Sequence, residues 1–256
     1  MNVIGIIPAR LDASRFPGKP MANIHGMPMV EHCYHRTRLA YGITSVFVAT
    51  CDDEIAQHIN GIGGNSIMTS KSHTRATTRT AEAMQIIEDR IEEKIDIVVM
   101  VQGDEPLIKS ETIAETLSHF EDPNVNIVNI MSRIDRYEDF IDRNNVKVVV
   151  DSNSDALYFS REPIPSPWKG IENLSMYMQT GIIAFRRDSL LKFNSMEETS
   201  LEQIESVDMN RVIEMGDSIR MVATEFKTIG VDTPQELKNS EELMRNDLTF
   251  AHYQKL

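Results

Sequence analysis

Val3-Ile4-Gly5-Ile6-Ile7-Pro8-Ala9-Arg10 starts the chain with a continuous β-branched run that a proline ends. A strand buried on both faces of a parallel sheet reads this way, since neither face alternates with polar residues. Ser45–Thr50 and Asp96–Val101 are further runs of this kind, and Ser66–Met68 is a shorter one. Helical patterns lie between them: about Pro28 to Ala40, with Met29, His32, Cys33 and Arg36 at helical spacing, and about Thr78 to Glu93. A short helix through Ile59 has Asp52 or Asp53 as its cap. Strand and helix alternate, so the first 110 residues predict a doubly wound α/β half.

Beyond residue 120 the pattern is less regular. Val125–Ile130, Val146–Val150, Ala156–Ser160, Met178–Phe185 and Ser218–Val222 read as strands, with Ala156–Ser160 pairing with the run before it. Helices are expected near Ser189–Phe193, Leu201–Met215 and Thr233–Leu243. The expectation is a single α/β domain with a mixed, mostly parallel central sheet and a small inserted lobe.

Composition narrows the function classes. At 256 residues, 41% hydrophobic and 25% charged, the chain is an ordinary globular one, which excludes disordered, collagen-like and coiled-coil readings. No apolar run approaches the roughly 20 residues that span a bilayer. The opening MNVIGIIPAR lacks a basic segment and a long apolar core, so no signal peptide is expected. Two cysteines, Cys33 and Cys51, cannot build a disulfide framework, which points to a reducing cytoplasm. With 26 Lys and Arg against 39 Asp and Glu, the net charge of -13 argues against nucleic acid as a partner.

Chemistry concentrates in three loops. Residues 8–20, PARLDASRFPGKP, leave the first strand at the edge where open α/β sheets bind ligands. They carry Arg10, Arg15 and Lys19, suited to phosphate oxygens, although the segment is neither a Walker nor a Rossmann loop. Val101-Gln102-Gly103-Asp104-Glu105-Pro106 places a carboxylate at the end of the fourth strand, well positioned to hold Mg²⁺ against phosphates. In Gly230-Val231-Asp232-Thr233-Pro234, Asp232 is either a second such ligand or simply a helix cap. The four early histidines, His25, His32, His35 and His58, lack zinc spacing, and Cys33 reads as core.

These segments, with NVKVV at 145–149, ALYFSREPIP at 156–165 and GVDTP at 230–234, resemble the 3-deoxy-manno-octulosonate (Kdo) cytidylyltransferases. The resemblance spans nearly the whole chain. It implies an α/β nucleotidyltransferase, usually a homodimer, that joins CTP to a sugar acid with Mg²⁺ and releases pyrophosphate. It implies a nucleotide-binding half at 1–124, a substrate and dimerisation lobe at 125–225, and a metal-binding loop with a C-terminal helix at 226–256. Catalysis falls to Arg10, Lys19, Asp104 and Asp232, with Asp104 and Asp232 holding the metal. Ala9, Arg15, Thr77 and Arg79 join Arg10, Lys19 and Asp104 at the nucleotide. Gln102, Arg161, Gln179, Glu205 and Asp208 face the sugar.

The chain departs from the family pattern in places. The segment that usually reads DHxSGTDR is here Ser72-His73-Thr74-Arg75-Ala76-Thr77-Thr78-Arg79. A family histidine is Gln179 and a tyrosine is Ile183. A Glu-Gln pair is Asp208-Met209. Three readings therefore stay open: transfer to Kdo itself, transfer to another acid such as a modified octulosonate, nonulosonate or phosphonate, or a non-catalytic nucleotide-binding paralogue.

Overall fold

All seven residues of β1, Val3–Ala9, are buried, the signature of a strand covered on both faces. The computed structural model describes residues 1–12, 16–172, 174–226 and 230–255. Two compact units form, one from residues 1–114 with 228–256 and the other from residues 115–227.

In the first unit the chain passes from β1 through a small antiparallel hairpin, β2 (Asn23–Ile24) and β3 (Met27–Pro28), that the sequence pattern does not announce. Next come α1 (Met29–Arg38), β4 (Ser45–Thr50), α2 (Asp53–Gly61), β5 (Ser66–Met68), α3 (Ala76–Ile91) and β6 (Ile97–Val101). The order is β6-β1-β4-β5 and each pairing is parallel, with Ile4 opposite both Ser45 and Val98. Parallel neighbours need crossovers, and α1, α2 and α3 supply them. The loops after β1, β4, β5 and β6 therefore leave one edge of the sheet, as the alternation predicts. A further helix, α4 (Ser110–Ser118), follows β6.

The second unit carries β7 (Ile127–Arg133), α5 (Tyr137–Ile141), β8 (Lys147–Val150), β9 (Ala156–Ser160), β10 (Tyr177–Arg186), α6 (Arg187–Ser195), α7 (Ser200–Glu205), α8 (Met209–Glu214) and β11 (Arg220–Thr224). β7 pairs in parallel with β11 and antiparallel with β10, and β8 pairs antiparallel with both β9 and β10. The expected mixed pairing is present: parallel throughout the β6-β1-β4-β5 order of the first unit, and mainly antiparallel in the second. The β10 register shifts between Gln179 and Ile183. Buried Asn129 answers that shift, donating its amide to the Thr180 carbonyl at 3.2 Å and the Ile182 carbonyl at 2.8 Å.

The helix expected over Leu201–Met215 is instead α7 and α8, separated at Ser206 by a φ of 53°. The break has a physical reason. Nine residues apart on one straight helix, Glu202 and Arg211 would face opposite ways. The turn lets them form a bidentate pair, both contacts 2.6 Å, buried almost completely.

The chain returns to the first unit with α9 (Pro234–Met244) and α10 (Leu248–Tyr253), the latter missed by the periodicity. α10 docks through polar groups. Fully buried Arg36 donates to Asp247 Oδ1 at 3.0 Å, to the Ile108 carbonyl at 3.2 Å and to the Tyr253 hydroxyl at 3.3 Å. Lys109 Nζ lies 2.7 Å from Asp247 Oδ2. His32 bridges the Tyr253 hydroxyl at 2.6 Å and the Ile24 carbonyl at 2.9 Å. Burial first, and neighbouring Arg36 after it, hold this histidine down to about 4, so it is neutral at pH 7. Its ring is fully buried in the core. Ile24, Met29, Leu107, Val231, Phe250 and Tyr253 pack around these bonds as one apolar cluster.

Burial pushes the Asp247 carboxyl up, but Lys109, the Phe250 N–H and Arg36 outweigh it and bring it down to about 2. A depressed carboxyl contributes stability above its unfolded value that is lost as the pH falls through the folded one. The stability gap between wild type and Asp247→Asn should therefore shrink by about 2 kcal/mol from about pH 5 to pH 2. Urea unfolding at several pH values measures it, and a pH-independent gap would contradict the assignment.

Candidate functional site

The loop after β1 is shaped by backbone bonds before any ligand is considered. Gly18 takes a φ of 72°, which an L side chain rarely adopts, and its N–H reaches the Leu11 carbonyl at 2.9 Å. The Leu11 N–H donates to Asp52 Oδ2 at 2.8 Å. This corrects the expected cap: Asp52 occupies the N-cap position of α2 but its side chain makes no cap bond, because it holds the neighbouring loop. Lys19 then begins a 3₁₀ turn, Lys19–Met21, anchored by buried Pro20. Arg15 lies outside the described residues.

The acidic loops meet beside this turn. The Val231 N–H donates to the Asp104 carbonyl at 2.8 Å, joining the segment after β6 to the one before α9. Gly103 lets the first of these come close, since a Cβ there would stand 3.3 Å from the Pro8 carbonyl oxygen. Thr233, not Asp232, caps α9. Its hydroxyl accepts the Glu236 N–H at 3.3 Å, while the Glu236 carboxylate accepts the Asp232 N–H at 2.8 Å. The Asp232 carboxylate is thus left to the cleft, where Lys19 Nζ sits 2.8 Å from Asp232 Oδ1 and 2.6 Å from Asp104 Oδ2. Burial alone would lower the lysine's pKa, but the two carboxylates overcome it and raise it above the ordinary value.

Around this triad is a cleft of about 300 Å³. Ala9, Arg10, Lys19, Arg79, Gln102, Asp104 and Asp232 of the expected set all line it. Thr77 does not; it is buried on α3. Arg10 donates to the His73 carbonyl at 3.3 Å. The His73 ring lies between Thr78 Oγ1 at 3.0 Å and Glu82 Oε2 at 2.5 Å. Arg79, only 3% exposed, gives Nη1 to Thr69 Oγ1 at 2.5 Å, while its buried Nη2 has no partner among the described residues. Such an orphaned charged donor costs stability unless a ligand accepts from it. Arg75 lines the same wall.

The sugar-side candidates of the second unit are placed differently. The Glu205 carboxylate accepts from Tyr158, Ser160 and the Arg161 N–H, each at 2.8 Å. Burial would raise its pKa, but these bonds hold it below the usual range. The Arg161 guanidinium donates to the carbonyls of Glu205 at 2.8 Å and Arg143 at 2.9 Å. Both residues thus brace their own chain. Gln179 is half-buried on β10 and its N–H donates to the Val146 carbonyl at 2.8 Å. Asp208 stands at the start of α8, in electrostatic reach of Arg211. The sequence reading missed Glu82 and took Asp52 only for a cap; both position the cleft loops. Only an acid directly after a strand end, or one helical turn beyond Thr78, could have flagged them.

Cations converge on two carboxylates, Asp104 just after β6 and Asp232 just before α9, an arrangement suited to nucleotidyl transfer. A family model described as cytidylyltransferase matches residues 4–221, and the chain belongs to the cytidylyltransferase family. It is 42% identical to the 3-deoxy-manno-octulosonate cytidylyltransferase of Geobacter sulfurreducens, covering 96% of this chain and 100% of that one. The protein of the same name from Pelobacter propionicus is 40% identical, with 96% and 98% covered. Among solved structures, CMP:2-keto-3-deoxy-manno-octonic acid synthetase complexed with CTP matches with a TM-score of 0.88 at 36% identity, covering 97% of this chain and 100% of that one. A putative glucose-1-phosphate thymidylyltransferase from Bacillus anthracis, 18% identical with a TM-score of 0.66 and coverages of 97% and 99%, shares the fold alone.

Thr233→Ala removes the α9 cap and should cost about 1 kcal/mol of stability. Urea unfolding of the variant checks it, and an unchanged midpoint would assign the capping elsewhere.

Proposed function

We propose that this chain transfers the cytidylyl group of CTP to the anomeric hydroxyl of 3-deoxy-manno-octulosonate, releasing pyrophosphate. The observation that carries this reading is the meeting of Lys19, Asp104 and Asp232 in a cleft that Arg10, Arg75 and Arg79 also line. The kinship to cytidylyltransferases named for this sugar supports it.

In the transfer the hydroxyl oxygen forms a bond to the α-phosphorus, the bond to the bridging oxygen of pyrophosphate breaks, and the hydroxyl proton leaves to solvent or a base. Little covalent work falls to the protein; it orients the in-line partners and stabilises phosphate charge. Arg10 and Lys19 bind the β- and γ-phosphates, and their charges offset what accumulates on the leaving pyrophosphate. Arg79 offers its orphaned Nη2 to the nucleotide, whose arrival satisfies a buried donor. The all-oxygen donor set of Asp104 and Asp232, which already accommodates one positive charge, fits Mg²⁺. When bound, that ion neutralises phosphate charge and helps hold the nucleotide in line. Gln102, which lines the cleft, is the acceptor contact of the first unit. A cytoplasmic homodimer is the assembly we assign to it.

Pyrophosphate release should be strong with CTP, Mg²⁺ and Kdo and weak with UTP. Asp104→Asn and Asp232→Asn should each lower kcat by about 10²-fold or more while leaving the fold intact by circular dichroism. Turnover with another 2-keto acid but not with Kdo would move the acceptor assignment. Silence with every acid would overturn the catalytic reading.

A further inference from the structure

The structure assigns Lys19 a second role: its ammonium is a tethered placeholder that occupies the metal position in the free protein and gives it up when nucleotide arrives. This inference rests on the reading of Asp104 and Asp232 as the metal's ligands.

The argument starts from geometry. One ammonium lies 2.6 Å from Asp104 Oδ2 and 2.8 Å from Asp232 Oδ1, so it fills the space between the two oxygens that a divalent cation would share. At those distances a metal and the ammonium cannot both sit there, because two cations would be forced together at low dielectric. Metal entry therefore requires the lysine to leave. The chain permits this without moving its backbone. Gly18, the Leu11 bond and buried Pro20 fix the turn that carries Lys19, while its four-carbon stem has single bonds about which the ammonium can swing.

A displaced ammonium needs a new anion, since a partly buried unpaired charge is costly. Among the described residues the rest of the cleft wall offers only the exposed carboxylate of Asp12, beside the cations Arg10, Arg75 and Arg79. The β- and γ-phosphates of a nucleoside triphosphate are the anions that suit. The site is then an ion exchanger. Without nucleotide, Lys19 balances the carboxylates; with nucleotide, the metal takes the carboxylates and Lys19 takes phosphate. Metal and triphosphate consequently enter as a pair, and free metal binds poorly.

Mn²⁺ binding, read from the free-ion electron paramagnetic resonance signal and from calorimetry, tests this without any turnover. The variants are Lys19→Met, the less apolar Lys19→Gln, and each of these combined with Asp104→Asn. Without nucleotide, wild type should bind Mn²⁺ weakly, either lysine variant about tenfold or more tightly, and the double variants weakly again. If both folded lysine variants bind Mn²⁺ no better than wild type, the placeholder is overturned. A separate arm guards the reading beneath it. With a non-hydrolysable CTP analogue present, Asp104→Asn and Asp232→Asn should weaken Mn²⁺ binding; no change in that arm would overturn the metal assignment itself.

Discussion

Two carboxylates far apart in the chain share one ammonium, and the packing of the first unit exists to make that meeting possible. Asp104 leaves β6 and Asp232 precedes α9, so neither is local to Lys19. Three constraints bring them in: the Val231 bond to the Asp104 carbonyl, the glycine that lets residue 103 approach Pro8, and the Thr233 cap that turns α9 away. Beneath them, Ile24, Leu107 and Val231 share one apolar cluster, each within a few residues of a member of the triad. Hydrophobic packing thus sets the positions of the charges, and the charges then repay their desolvation by pairing.

The parallel core was legible because the run from Val3 is buried on both faces, a pattern that only a few architectures accept. The three chemical loops were legible as strand-end loops carrying unusual charge. What escaped depended on tertiary context. α10 is short, and its stability comes from Arg36 and Lys109, which lie elsewhere in the sequence. The joint at Ser206 is invisible to periodicity, since the apolar positions of α7 and α8 fit one helix until the Glu202–Arg211 pair is seen. Asp52 looked like a cap and serves a loop instead, because a backbone N–H from another segment competes for the same carboxylate.

In the second unit two of the sugar-side candidates also hold the fold together. Glu205 and Arg161 carry charges that sequence reading offers to a substrate, yet each is engaged with its own backbone surroundings. Their joint effect is to fix the β9 end against the α7 end, a rigid support on which Tyr158 and Ser160 are also held. Lys147 reinforces the same corner, its buried ammonium reaching the carbonyls of Asp142, Asn145 and Arg161. Burial lowers its pKa, and the three carbonyls it donates to work against that shift by favouring the charged form.

The first unit is discontinuous, closed by a segment that comes after the whole of the second. That has a consequence for biosynthesis. A nascent chain can assemble β1, β4, β5 and β6 early, but Arg36 has no carboxylate and His32 no hydroxyl until Asp247 and Tyr253 leave the ribosome tunnel. Asp232 is also made late. The inserted unit, contiguous in sequence, is free to fold while the outer one waits with buried charges still unpaired. Chaperone dependence during synthesis should therefore concentrate on the interval in which the last helices are still being translated.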